Sequence, residues 1–213
     1  MTGLFISFEG GDGSGKSTIS KMIYQELKKR GYQVIYTREP GGIDISEKIR
    51  SIILDPNNSS MDSKTEALLY AASRRQHLVE KVIPALKLNK IVISDRFIDS
   101  SLAYQGFARK IGFDEILQLN KFAIDEYFPD ATIYFELDEE IGLSRTRRRG
   151  KLDRLEIETK EFHTLVKEGY QEVLARFPNR IKIVDASKSI DEVYQDSIKL
   201  VEEIIDEQKY FKE

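Results

Sequence analysis

Cysteine does not occur among the 213 residues, which excludes a disulfide framework, a thiolate nucleophile and any zinc site built on cysteine, and fits a reducing compartment. Histidine is almost as scarce. His77 and His163 are the only two, both fall within helix-like stretches, and neither reads as catalytic. No run of about 18 to 20 apolar residues is present, and the opening MTGLFISFEGGDG has neither a basic leader nor a small-residue cleavage site. The expectation is a cytoplasmic protein with no membrane partner. A surplus of positive charge is missing too: 33 Lys and Arg stand against 36 Asp and Glu, for a formal charge of -3. Gripping nucleic acid regardless of sequence needs a broad cationic surface, so no nucleic-acid partner is expected and basic residues matter locally. Repeats, low-complexity tracts and Pro/Ser linkers are also absent, and residues 1–213 read as a single domain with one sizeable core.

What is present alternates short β-branched or aromatic runs with longer amphipathic stretches, the pattern of an α/β fold around a parallel sheet. LFISFEG, YQVIYTRE, KIVISDR, ATIYFEL and RIKIVDAS are the five strand candidates. Helical spacing runs from Lys16 to Arg30, where Gly31 supplies a left-handed cap, from Ile43 to Leu54, and from Ser63 to Leu88, where Ser63 and Glu66 are placed as a capping box. Further helices are expected over Phe113 to Glu126, Glu139 to Arg149, Thr159 to Arg176, and from Ser189 onward. RTRRRGKLDR, Arg145 to Arg154, has the densest charge in the chain, and Gly150 interrupts its helical pattern.

The first strand runs straight into Gly10, Gly11, Asp12, Gly13, Ser14, Gly15, Lys16, Ser17 and Thr18, a GxxxxGK[ST] loop that opens a helix. Glycines there let backbone N–H groups wrap a phosphate while the helix points its positive end at the anion. Lys16 would bridge the β- and γ-phosphates of a nucleoside triphosphate, and Ser17 would hold Mg²⁺. A GTP switch is disfavoured, because the nearest guanine-reading element, NKFAID, has alanine where the carboxylate belongs. In SDRFIDSSLAYQG, Asp95 and Arg96 sit at the C-terminal end of a strand, where open α/β sheets place their sites. Asp95 could assist the Mg²⁺ shell through water and Arg96 could clamp a second phosphate; equally, the two could tie the strand end to its neighbours. Arg38, Arg50, Arg74 and Arg75 add further cations. Tyr70 and Arg74, four apart on one helix face, either read a planar base or cover the core.

Together FEGGDGSGKST, TREPGG, AASRR, DRFIDSSLAYQG and RRRGKLDRLE resemble the thymidylate kinases of the bacterial type, from about residue 3 to at least 185. The resemblance implies a P-loop nucleoside-monophosphate-kinase fold, with five parallel strands in order 2-3-1-4-5 and a mobile lid at about 145–156. It implies transfer of the γ-phosphoryl of ATP to dTMP, a Mg²⁺ requirement and a homodimer. The exposed apolar positions of the helices from Ile43 to Leu54, Ser63 to Leu88 and Phe113 to Glu126 are the expected dimer surface. By the same resemblance Lys16, Arg38 and Arg96 surround the acceptor phosphate and the transferring group, and Asp12 faces the 3'-hydroxyl of the sugar. Tyr70 stacks on thymine, Arg74 and Gln105 hydrogen-bond it, Arg50 borders it, Ser101 sits near its edge, and Tyr104 crowds the 2' position. Closure of the lid swings Arg147 and Arg149 onto the ATP phosphates, supplying charge that Gly13 leaves out of the loop, while for Arg145 and Arg148 a solvated helix face is as good a reading as any other. Arg154 would fix the lid or join the acceptor-side charges.

A phosphate acceptor is already anionic at neutral pH and needs no general base. The rival enzyme reading is another small nucleoside or monophosphate kinase; a nucleoside acceptor would need a carboxylate base, for which Glu39, also expected beside dTMP, is the candidate. The rival from another class is a nucleotide-binding switch or scaffold with no acceptor.

Overall fold

The strands fall where the apolar runs lie: β1 (Leu4–Gly10), β2 (Val34–Arg38), β3 (Ile91–Asp95), β4 (Ala131–Glu136) and β5 (Ile181–Asp185). In the computed structural model, which describes residues 3–150 and 152–208 and only the backbone of Arg149, all pairings are parallel and the order is β2-β3-β1-β4-β5. β1 is central and buried at every position, as the central strand of a parallel sheet covered on both faces should be, with Ser7 and Glu9 as its polar residues.

Alternation along the strands divides the core in two. Ile6, Ile93 and Ile133 face α1 (Lys16–Lys29) and α9 (Ile190–Glu207). Phe5, Val92 and Tyr134 face the opposite layer, which includes α3 (Ser63–His77), α6 (Phe113–Ile124) and α8 (Lys160–Arg176). α2 (Asp44–Leu54) packs on α3, and α4 (Ile83–Lys87) follows a π-helical turn, Leu78–Val82. α7 (Glu139–Arg149) carries the arginine run.

Two local expectations are corrected. Asp62, not Ser63, caps α3, its carboxylate accepting from Lys64 N and Thr65 N at 3.0 and 3.1 Å. Glu66 turns inward to cations instead of back to the cap. The capping box instead forms at α9, between Ser189 and Glu192. The stretch after Arg96, read for its polar residues alone, is helical: α5 (Ile98–Ser101) runs into a π-helical segment, Leu102–Ala108. That segment presents Tyr104 and Gln105 at the C-terminal edge of the sheet, where the cavity opens.

Candidate active site

The loop after β1 leaves the first turn of α1 without a side-chain cap, Gly15 holding the N-cap position at φ 85°. Free N–H groups at a helix start favour an anion. Lys16 folds back over the loop, its Nζ donating to the Gly11 carbonyl at 3.3 Å. Burial, reinforced by the nearby Arg96 charge, pushes its ammonium down to about 8. A bound polyphosphate would favour the charged form. Ser17, Thr18 and Asp95 line the same cavity, and Asp95 accepts from the Tyr36 hydroxyl at 3.3 Å. Gly10, Gly11 and Ser14 do not line it; Gly10 and Gly11 instead turn their carbonyls to Arg96 and Lys16.

Arg96 joins the loop to the start of the helix that follows β3. Its backbone is left-handed at φ 71°, unusual for a residue with a side chain. Nη1 donates to the Gly10 carbonyl and to Ser100 Oγ, both at 3.0 Å, and Nη2 to Asp12 Oδ1 at 2.6 Å. The Tyr104 hydroxyl donates to the other Asp12 oxygen at 3.0 Å, and the guanidinium lies 5.3 Å from the Tyr104 ring centroid. Asp12 therefore faces Arg96 and Tyr104 across the cavity. Burial opposes its ionisation, but Arg96, Lys16 and the Tyr104 hydroxyl outweigh that and hold its carboxyl down to about 2.

Beneath Arg96 lies Glu9, which sequence reasoning missed. It accepts from Phe97 N at 2.6 Å, from the Tyr170 hydroxyl at 3.2 Å and from Ser100, and burial, with Asp99 next, pushes it up to about 7. A carboxylate inside an otherwise apolar central strand was the available signal.

The far end of the cavity is built on α3. Arg74 is buried: Nε donates to Glu39 at 2.7 Å, Nη1 to Ser101 at 3.0 Å and to Asn120, and Nη2 to the Phe97 carbonyl at 3.0 Å. A guanidinium has five N–H groups, so these bonds leave one, on Nη2, in a residue that lines the cavity. The second Glu39 oxygen accepts from His77 Nδ1 at 2.8 Å. Glu39 is thus a buried structural partner with both oxygens engaged, a poor candidate for a general base. Arg50 donates to the Pro40 carbonyl at 2.8 Å and Arg38 to Glu47 at 2.6 Å. Arg75 points elsewhere, to Asp125 at 2.6 Å.

One cavity of about 950 Å³ brings together Asp12, Lys16, Ser17, Arg38, Glu39, Arg50, Tyr70, Arg74, Asp95, Arg96, Ser101, Tyr104 and Gln105. It also contains Arg145, which the sequence reading did not place there; its Nη1 donates to the Gly13 and Ala186 carbonyls, both at 3.4 Å. Arg147 is not brought there. With about 100° per helical residue it points away from Arg145, and it lines a separate cavity with Arg148 and Lys160. The Arg149 side chain lies outside the described residues.

The bare position at Gly13 has a steric reason. A Cβ on Gly13 would lie 2.2 Å from the Gly142 carbonyl oxygen of α7, and one on Gly142 would lie 2.4 Å from that of Asp12. The loop and α7 meet backbone to backbone, and Arg145 of α7 is a cation that reaches the loop. Arg154 anchors the segment that follows, its Nε donating to the Ile53 carbonyl at 2.7 Å and its Nη2 to Glu66 at 2.5 Å.

A sequence model of the family described as thymidylate kinase matches residues 8–197. The thymidylate kinase of Anoxybacillus flavithermus is 56% identical over 207 residues, covering 96% of this chain and 99% of its own. That of a Geobacillus species is 55% identical over 203 residues, covering 94% and 97%. The crystal structure of thymidylate kinase from Ehrlichia chaffeensis superposes with a TM-score of 0.78 at 33% identity, over 95% of this chain and 99% of that one. With near-complete coverage in sequence and in fold, this chain belongs to the thymidylate kinase family.

Proposed function

We propose that the protein is a single catalytic domain that transfers the γ-phosphoryl of ATP to dTMP, giving ADP and dTDP. The observation that carries this reading is one cavity with two anion-binding ends. The loop with Lys16 and Ser17 forms one, Arg38 and Arg96 form the other, and Tyr70, Arg74 and Gln105 lie beyond the second. The acceptor oxygen is already anionic, so the work is neutralising two polyanions and holding them in line.

Lys16 takes the transferring group, Arg96 and Arg38 the acceptor phosphate, and Asp12 with Tyr104 the sugar. Tyr70 stacks on the base, which Arg74 meets with its one free N–H; Gln105 bonds it, and Arg50, Glu39 and Ser101 complete the rim. Arg145 is the lid cation nearest the loop, and a turn of α7 on closure of the segment at about 145–156 would bring Arg147 and Arg149 over ATP. Hard oxygen donors suit Mg²⁺, which Ser17 would hold directly and Asp95 through water. Among the described residues no cluster of three or more His, Cys, Asp or Glu forms a metal cage, consistent with an ion held mainly by substrate phosphates and water. Bound there, Mg²⁺ neutralises charge on the transferring phosphates.

Exposed Ile45 and Ile52 on α2, Leu68 on α3 and Phe122 on α6 support a homodimer through these helices. No described helix is long and apolar enough to cross a membrane, and a cytoplasmic location is proposed.

Calorimetric titration of dTMP, with and without a non-hydrolysable ATP analogue, separates a kinase from a switch. One saturable dTMP site per chain is expected in both cases. Triphosphate binding with no dTMP binding would overturn the reading.

A further inference from the structure

The geometry points to Glu66 as a positioning residue that fixes which end of the Gln105 amide faces the cavity, and so which pyrimidine is accepted; this rests on Gln105 being a base-binding residue. Glu66 lies one helical turn before Tyr70 on α3 and is fully buried. Its Oε1 accepts from Gln105 Nε2 at 2.8 Å and Arg109 Nε at 3.3 Å. Its Oε2 accepts from Arg109 Nη2 at 3.1 Å and Arg154 Nη2 at 2.5 Å. A carboxylate offers about four lone-pair positions and no donor. All are used, so Glu66 orients other groups instead of meeting a ligand.

A free amide can present either end, because its oxygen and nitrogen exchange places by a half turn. Beside Glu66 only one orientation works, since the other would set a carbonyl oxygen against a carboxylate. The NH₂ end of Gln105 is therefore held at Glu66 through one of its two N–H groups, and Oε1 is the acceptor end turned from Glu66 in a residue that lines the cavity. A buried acceptor suits a base with an N–H at N3, as in thymine, and opposes cytosine, which carries a lone pair there. Arg154 ties its own segment to the same carboxylate through Nη2, while its Nε donates to the Ile53 carbonyl at the end of α2.

Glu66→Gln keeps the shape and reverses the logic. Its oxygen would stay with Arg154 and Arg109 Nη2, its NH₂ would face Gln105 and leave Arg109 Nε–H without this acceptor, and Gln105 would turn its own NH₂ to the cavity. The experiment compares kcat/KM for dTMP and dCMP in the wild type, E66Q, Q105A and the double variant E66Q/R154M. The double variant removes the buried charge together with one of its cations, and so keeps the comparison open if E66Q alone does not fold. The preference for dTMP is expected to fall by roughly 10- to 100-fold in E66Q and in the double variant, mainly through KM. A folded variant that keeps the wild-type preference, while Q105A loses it, overturns the role of Glu66. If Q105A also keeps it, the assignment of Gln105 to the base fails, and this inference with it.

Discussion

Replacing Arg96 with methionine is expected to lower kcat/KM for dTMP by roughly 10³-fold or more, with most of the loss in kcat. Two polyanions must meet in one cavity, and Arg96 is a partly exposed cation on its wall, bonded to the Gly10 carbonyl, Ser100 and Asp12. Its backbone is also held at φ 71°, a conformation that costs a residue with a side chain of order 1–3 kcal/mol. Arg96→Gly separates the two contributions, since glycine relieves the backbone but supplies no guanidinium. Arg96→Gly should therefore lose as much activity as Arg96→Met while melting at a higher temperature. Thermal unfolding beside steady-state kinetics checks both points. A glycine variant within tenfold of wild-type kcat would remove Arg96 from the transfer step.

Glu39→Gln is expected to destabilise the protein by about 3–5 kcal/mol, because it breaks a buried ion pair and leaves the Arg74 charge uncompensated. For a chain of this size that corresponds to a fall of roughly 10 °C in Tm. The bond that aims Arg74 also loses its charge assistance, so KM for dTMP should rise while kcat changes less. Were Glu39 instead a general base for a nucleoside hydroxyl, the same variant would keep its Tm and lose kcat. Both of its oxygens are taken, by Arg74 at 2.7 Å and His77 at 2.8 Å, which favours the first outcome.

The fold was legible because its signals are local. Five apolar runs became five parallel strands, and Gly31 ends α1 at φ 88° as its sequence implies. The errors arose where a distant partner decides. Ser63 and Glu66 have the spacing of a capping box, but Glu66 meets Arg109 and Arg154, far along the chain, and Asp62 caps α3 instead. The helix carrying Tyr104 and Gln105 was overlooked because it continues into a π-helical segment whose period departs from 3.6 residues. On the lid, spacing identified the arginines but not their phase. The close approach of Gly142 to Gly13 is one of the contacts that set how α7 sits, with Arg145 turned into the cavity and Arg147 out of it.

Steady-state ADP release with dTMP, dUMP and thymidine as acceptors tests the central claim most directly. dTMP should give the highest kcat/KM, dUMP should be turned over less efficiently, and thymidine should give no acceptor-dependent release, since Glu39, the carboxylate expected to serve a hydroxyl acceptor, has both oxygens engaged by Arg74 and His77. Turnover of thymidine without turnover of dTMP would contradict the assignment.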